Sequence, residues 1–173
     1  MAVKPIVFRA PWSRSLRVRT IAASMLVALM AMAGFLLSVH AEFVWQLLLI
    51  VLPIGAWLLS VLTMVRGYSL NDESFRIDRL VTRQTYPLRD VTSVDGDAEA
   101  MRGSICLFAN CGLFSFSGRY WSRRLGFHRA ALCDPSRAVV IRLGGGKLVI
   151  APHDPQQFIV RARTFIKTLN FPK

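Results

Sequence analysis

Acidic residues are scarce in this chain, with 10 Asp and Glu against 22 Lys and Arg and a net charge of +12. So strong an imbalance favours a polyanionic neighbour, either nucleic acid or the anionic leaflet of a membrane. Charge is missing altogether from residues 21–39 and 43–65, where no Asp, Glu, Lys or Arg occurs. Without an acid or base inside these runs there is no proton relay or ion path, which argues against a transporter or pump. Cysteine is limited to Cys106, Cys111 and Cys133. The count is odd and the spacing fits no common zinc pattern, even with His128 or His153 added, so the expectation is reduced structural thiols and no metal. Catalytic signatures are missing too. There is no nucleophile elbow and no His-Glu-x-x-His, and Gly144-Gly145-Gly146-Lys147 lacks the earlier glycine and the following Ser or Thr of a phosphate loop. Asp95, Asp97 and Glu99 lack the terminal bidentate acid of a calcium loop and read as a solvated acidic loop. These absences argue against an enzyme and against any cofactor.

What the chain does have is length in its apolar runs. At 1.5 Å per residue each reaches roughly 30 Å, the hydrocarbon thickness of a bilayer. Only His40, Ala41 and Glu42 separate them, so the reading is a hairpin of two transmembrane helices. The first run is too long for the core of a cleaved signal, which spans about 7–15 residues. Lys4, Arg9, Arg14, Arg17 and Arg19 precede the first run and Arg66 closes the second. By the positive-inside bias both termini are then cytoplasmic, in a multi-pass membrane protein. Close helix packing is expected along Ser24, Ala28, Ala31, Gly34 and Ser38 of the first helix and Pro53, Ala56, Ser60 and Thr63 of the second, because small residues let backbones approach. Pro53 with Gly55 is expected to kink or loosen the second helix. Ahead of the hairpin, Phe8, Trp12 and Leu16 fall at helical spacing among arginines and suggest a short helix lying in the interface. In a membrane-tethered chain the inner leaflet is the nearer polyanion, so nucleic acid is disfavoured as a partner.

From Gly67 onward the apolar period changes to alternation. Phe75 and Ile77 oppose Ser74, Arg76 and Asp78, and Val139, Ile141 and Leu143 oppose Val140 and Arg142. Turn signals recur at Asn71-Asp72, Asp95-Gly96-Asp97, Ser117-Gly118, Asp134-Pro135-Ser136 and the triple glycine. Seven or eight strands are expected, near residues 68–70, 75–78, 82–86, 92–95, 113–117, 128–132, 138–143 and 147–151. Asp154, Pro155 and Gln157 then form a capping sequence for a helix with Phe158, Ala162, Phe165, Ile166 and Leu169 on one face and Arg161, Arg163 and Lys167 in solvent. The division is residues 1–19 as a basic segment, 20–66 as the membrane hairpin and 67–173 as a cytoplasmic domain. Its outline, a mainly β barrel or sandwich closed by a C-terminal amphipathic helix, resembles the pleckstrin-homology (PH) fold.

Particular residues carry a closer likeness. Tyr68-Ser69-Leu70-Asn71-Asp72, Phe75-Arg76-Ile77 and Tyr86-Pro87-Leu88-Arg89-Asp90-Val91 resemble the opening of the bacterial membrane-associated PH-like domains. Cys111 to Gly118, Leu125-Gly126, Ala138-Val139-Val140-Ile141 and Val149-Ile150-Ala151-Pro152 running into Asp154-Pro155-Gln156-Gln157-Phe158 are similar to that family in order and spacing. The resemblance implies a binding or scaffolding module that contacts anionic membrane lipid or recruits a protein partner, and it leaves room for a homo-oligomer. A phosphoinositide site of the eukaryotic kind is not implied, because the first hairpin turn here is the acidic Asn71-Asp72-Glu73. The basic and aromatic stretch Arg119, Tyr120, Trp121, Arg123 and Arg124, following the Ser117-Gly118 turn, is the expected headgroup or partner site. The competing function is an accessory structural subunit assembled through the hairpin inside a larger membrane complex.

Overall fold

The computed structural model describes residues 5–37 and 43–170. Lys4, Ser38 and the connection His40, Ala41 and Glu42 lie outside them. The first element corrects the reading of an interfacial helix. Pro5 and Pro11 bracket a short strand, β1 (Ile6–Arg9), in which Phe8 is buried while Val7 is exposed. It pairs antiparallel with β2 (Val65–Leu70), from Ile6 opposite Leu70 to Arg9 opposite Gly67. Gly67 is needed there, since a Cβ would stand 2.8 Å from the Phe8 carbonyl oxygen. Residues 6–9 are therefore part of the β lobe.

The apolar helices are inserted between these two paired strands. Ser13 opens α1 (Arg14–Leu37): its Oγ accepts from the Leu16 amide at 3.1 Å and its carbonyl from the Arg17 amide at 3.1 Å. Leu16 is fully buried and Thr20 nearly so, which roots α1 inside the lobe. Among the described residues α1 is the one helix long and apolar enough to cross a membrane. The second run folds as α2 (Phe43–Gln46), a π-helical turn Leu47–Val51 and α3 (Leu52–Leu62). The π turn lies directly before Pro53, whose ring clashes with the carbonyl four residues back and whose nitrogen donates no hydrogen bond. The run thus loosens where proline predicts, and its Leu47–Leu62 stretch is shorter than a full span.

The two arms pack antiparallel. Trp57 Nε1 donates to Ser24 Oγ at 2.9 Å, and Gly34 lies so close to Ile50 that a Cβ would meet its Cγ1 at 2.7 Å. Ser24, Ala31, Gly34 and Ser60 are buried or half-buried, whereas Ala28 and Ala56 are exposed. The seam follows Ser24, Val27, Ala31 and Gly34, a spacing near 3.5 that leaves Ala28 one position off the contact.

Behind the helices stands an open sandwich, not a closed barrel. One sheet runs β1-β2-β3-β4, with β3 at Ser74–Arg79 and β4 at Arg83–Pro87. The other runs β5-β9-β10-β8-β7-β6, with β5 (Val91–Gly96), β6 (Ile105–Leu113), β7 (Ser115–Ser122), β8 (Gly126–Leu132), β9 (Val139–Leu143) and β10 (Gly146–Ile150). Tyr68, Phe75 and Tyr86 stack in series across the first sheet, and Phe158 sets its edge against Phe8 and Phe75. The Tyr68 hydroxyl ties the sheets together, donating to the Ala131 carbonyl at 2.7 Å and accepting from the Ala151 amide at 3.1 Å. Burial pushes its ionisation well above the ordinary tyrosine range.

The C-terminal helix α4 (Pro155–Asn170) is capped as expected, with the Gln157 amide donating to Asp154 Oδ1 at 3.0 Å. Its buried face is Phe158, Ile159 and Ala162, flanked by the partly buried Phe165 and Ile166, while Leu169 is exposed. Arg163 is not free in solvent. It donates to the Val94 carbonyl and pairs with Asp95 at 2.8 Å, fastening α4 to β5.

Three readings fail around β6. Between Asp95 and Leu113 no strand is expected from the sequence, yet β6 begins at Ile105. Ser117 and Gly118 lie inside β7; the turn is instead at Phe114, whose φ is +63°. Cys106 and Cys111 are joined in a disulfide, with Cα atoms 5.9 Å apart, where reduced thiols were expected. In a regular strand five residues cover about 16 Å and the two side chains point to opposite faces. Register shifts at Cys106/Phe108 and Cys111/Leu113 bend β6 and remove that restriction. Cys133 is a free buried thiol, its Sγ 3.6 Å from the Val65 carbonyl.

Candidate functional site

The lobe meets the helices through the turn between β6 and β7. Asn110 Nδ2 donates to the Ser60 carbonyl and to Thr63 Oγ1, both at 3.2 Å, and its Oδ1 accepts from the Leu113 amide at 2.9 Å. Thr20 Oγ1 accepts from the Phe114 amide at 3.1 Å. The Phe114 ring stands edge-on between Trp12 and Trp57, at 6.1 and 5.4 Å. A left-handed phenylalanine is costly by itself and persists only where its surroundings over-determine it. This joint is structural, and it orients everything beyond it.

Away from the joint the sandwich gapes. A groove of about 1270 Å³ opens between β4 and the turn after it, the β9–β10 hairpin, and the outer strands β6, β7 and β8. Its apolar part is Phe108, Phe127 and Leu107, which are 85%, 76% and 50% exposed. Its charged part is Arg89, Arg119, Arg129 and Lys147 against the single acid Asp90. Arg119 and Arg129 are direct cross-strand partners, and Phe108 lies opposite Arg119 on the other side. Like charges facing across a sheet destabilise it unless an anion lies between them. Among the described residues no carboxylate comes within ion-pair reach of either guanidinium. Behind them Arg79 is half-buried with its Nε unpartnered, and burial lowers its ionisation below the ordinary arginine value, with Arg129 adding repulsion. The arrangement is suited to an anion carried on an apolar frame.

The expected site residues do not form one cluster. Arg119 and Tyr120 line the groove, but Tyr120 is buried, and its hydroxyl donates to the Asn110 carbonyl at 3.0 Å. Burial pushes that hydroxyl up to about 12. Trp121 is half-buried opposite Phe127. Arg123 is exposed in the turn after β7, and Arg124 pairs with Asp97 at 3.2 Å and Glu99 at 3.9 Å. The acidic loop is therefore bridged by arginine and not simply solvated. Phe108, Phe127, Arg129 and Lys147 were missed. Arg129 alternates with the buried His128 and Ala130 in β8, a pattern that marks it as facing away from them.

The family model described as Bacterial PH domain matches residues 66–164. No curated protein and no solved structure matches the chain.

Proposed function

The chain belongs to the bacterial PH domain family, and from that premise we propose that it is a non-enzymatic module anchored in the cytoplasmic membrane, whose groove recruits a partner protein through an acidic, partly apolar segment. The observation that carries this reading is the facing pair Arg119 and Arg129 beside the exposed Phe108. Anchoring by a two-span hairpin is supported by the pairing of β1, ahead of the helices, with β2, after them, which returns the chain to the side it left. The basic residues around Arg14, Arg17, Arg19 and Arg66 favour the cytoplasmic side. A protein partner is preferred to the lipid leaflet because β7 leaves the joint at Ser115 and reaches Arg119 only about 13 Å further on.

A photoreactive residue at position 108 of the full chain in native membranes is expected to crosslink an acidic protein, and Arg119→Glu with Arg129→Glu is expected to abolish the product. Undiminished crosslinking in the double variant sinks the reading. A reporter fused after Lys173 is expected to be active only in the cytoplasm. The competing subunit role draws support from Ala28 and Ala56, small residues that the hairpin leaves on its outside. Ala28→Leu is expected to break assembly only under that role.

A further inference from the structure

The β3–β4 turn combines features that the groove does not explain. Leu80 and Val81 sit next to each other at its tip, 39% and 66% exposed, where polar turn residues are usual. Turn and helix are tied together, since the Leu80 amide donates to the Met64 carbonyl at 3.1 Å, two residues beyond the end of α3. Val65, the next residue, pairs with Arg79 at the foot of the turn. Two cations flank the apolar tip. Arg66 is exposed in the bulge between Val65 and Gly67, and Arg83, with its side chain 77% exposed, makes a long 3.7 Å contact to Asp78 as its one ion pair among the described residues.

We propose that this turn is a second membrane contact, with Leu80 and Val81 inserted among the headgroups of an anionic leaflet and Arg66 and Arg83 on its phosphates. The proposal rests on the reading of α1 and α3 as parts of a membrane-crossing hairpin. Its occupant follows from continuity and charge. The turn is hydrogen-bonded to the segment that leaves the bilayer, so its tip lies at headgroup depth. Apolar side chains between cations match the chemistry of that layer, where basic residues gain from anionic lipid. With the helices as one attachment and the turn as another, the lobe is held at a fixed tilt and the groove faces a fixed direction.

Depth measurement by nitroxide labelling tests this. Cys133 is buried and Cys106 and Cys111 are paired, so an introduced cysteine labels selectively. Leu29→Cys on the exposed side of α1, Val81→Cys in the turn and Glu73→Cys at the opposite end of β3 are labelled in the full chain and reconstituted in phosphatidylcholine vesicles containing phosphatidylglycerol. The label at 81 is expected to favour oxygen over a nickel chelate, as at 29 and unlike at 73. It is expected to shift towards water when Arg66→Glu and Arg83→Glu are added or phosphatidylglycerol is omitted. If 29 is lipid-exposed and 81 is as open to nickel as 73, the contact is refuted and the hairpin stands. If 29 is also aqueous, the hairpin reading fails and takes this contact with it.

Discussion

At the helix end of the lobe, Phe114 is clamped between two tryptophans and one asparagine side chain satisfies three partners; at the groove end, Phe108 and Phe127 face solvent and Arg119 stands across from Arg129. The same sheet supplies both ends, since β6, β7 and β8 run from one to the other. Polar groups at the joint are paired and aromatic rings interlock, as in a region selected for stability. In the groove, charge repels charge and apolar surface stays wet, which costs stability and makes sense where something else completes the contacts. Substitutions therefore have opposite signatures at the two ends.

The largest effect is expected from Leu16→Ala. Leu16 belongs to α1 yet is fully buried in the lobe, so its loss opens a cavity where helix and sheets meet and destabilises by about 2–5 kcal/mol. Thermal unfolding of the full chain in detergent measures it. A change confined to surface magnitudes would mean that α1 is merely tethered to the lobe, and the contrast between the ends would fail.

Asn110→Ala comes next. It strips partners from the Ser60 carbonyl, Thr63 Oγ1 and the Leu113 amide, and groups left unsatisfied in a part-buried place cost about 1–3 kcal/mol. Asn110→Asp sharpens the comparison, because its carboxylate still accepts from Leu113 but donates to neither of the other two.

A pH series reaches the lobe's interior. Cys133 rises from its ordinary 9.0 to about 12 and Tyr120 from 10.0 to about 12, both chiefly because burial penalises the charged form, and Tyr68 rises further for the same reason. The folded chain keeps protons that the unfolded chain releases, so stability is full below pH 9 and declines as pH climbs through 9 to 12. Melting temperature against pH is expected to fall on the alkaline side, and Tyr68→Phe to flatten that fall while lowering the plateau through loss of the link between Ala131 and Ala151. A plateau extending unchanged to pH 12 would contradict the burial of these groups.

How much of this was readable in advance depended on distance along the chain. The cap of α4, the hairpin of β9 and β10 and the alternation in β3 are local, and each was legible because neighbouring residues carry the signal. The Bacterial PH domain match over residues 66–164 agrees with the likeness seen in Tyr68-Ser69-Leu70 and the motifs after it. Strand β1 was not legible. Phe8, Trp12 and Leu16 share helical spacing and are all drawn to the core, but Phe8 finds its strand partner at Tyr68, beyond both apolar runs. Strand β6 hid behind its two bulges, which break alternation and bring Cys106 to Cys111. The groove was half-read. Arg119 was singled out for its neighbours in sequence, whereas its neighbours in space are Phe108 and Arg129, and Arg124 was claimed by an acidic loop whose position no local pattern reveals.

The smallest change in stability is expected where the functional loss is greatest. Phe108→Ser with Phe127→Ser removes two rings that already face solvent, so each substitution moves unfolding by no more than about 0.5 kcal/mol. The same pair of rings supplies much of the apolar surface of the groove, and a bound segment that desolvates them loses its anchor when they become serines. Crosslinking from a photoreactive group at Leu107 in this double variant is expected to vanish while the melting curve stays in place. Arg119→Glu alone is expected to leave the fold as stable or slightly more so, because it replaces repulsion across β7 and β8 by attraction to Arg129. A gain in stability joined to a loss of partner identifies Arg119 as held against its own folding interest for the sake of an anion, and no residue at the joint can give that pair of signs.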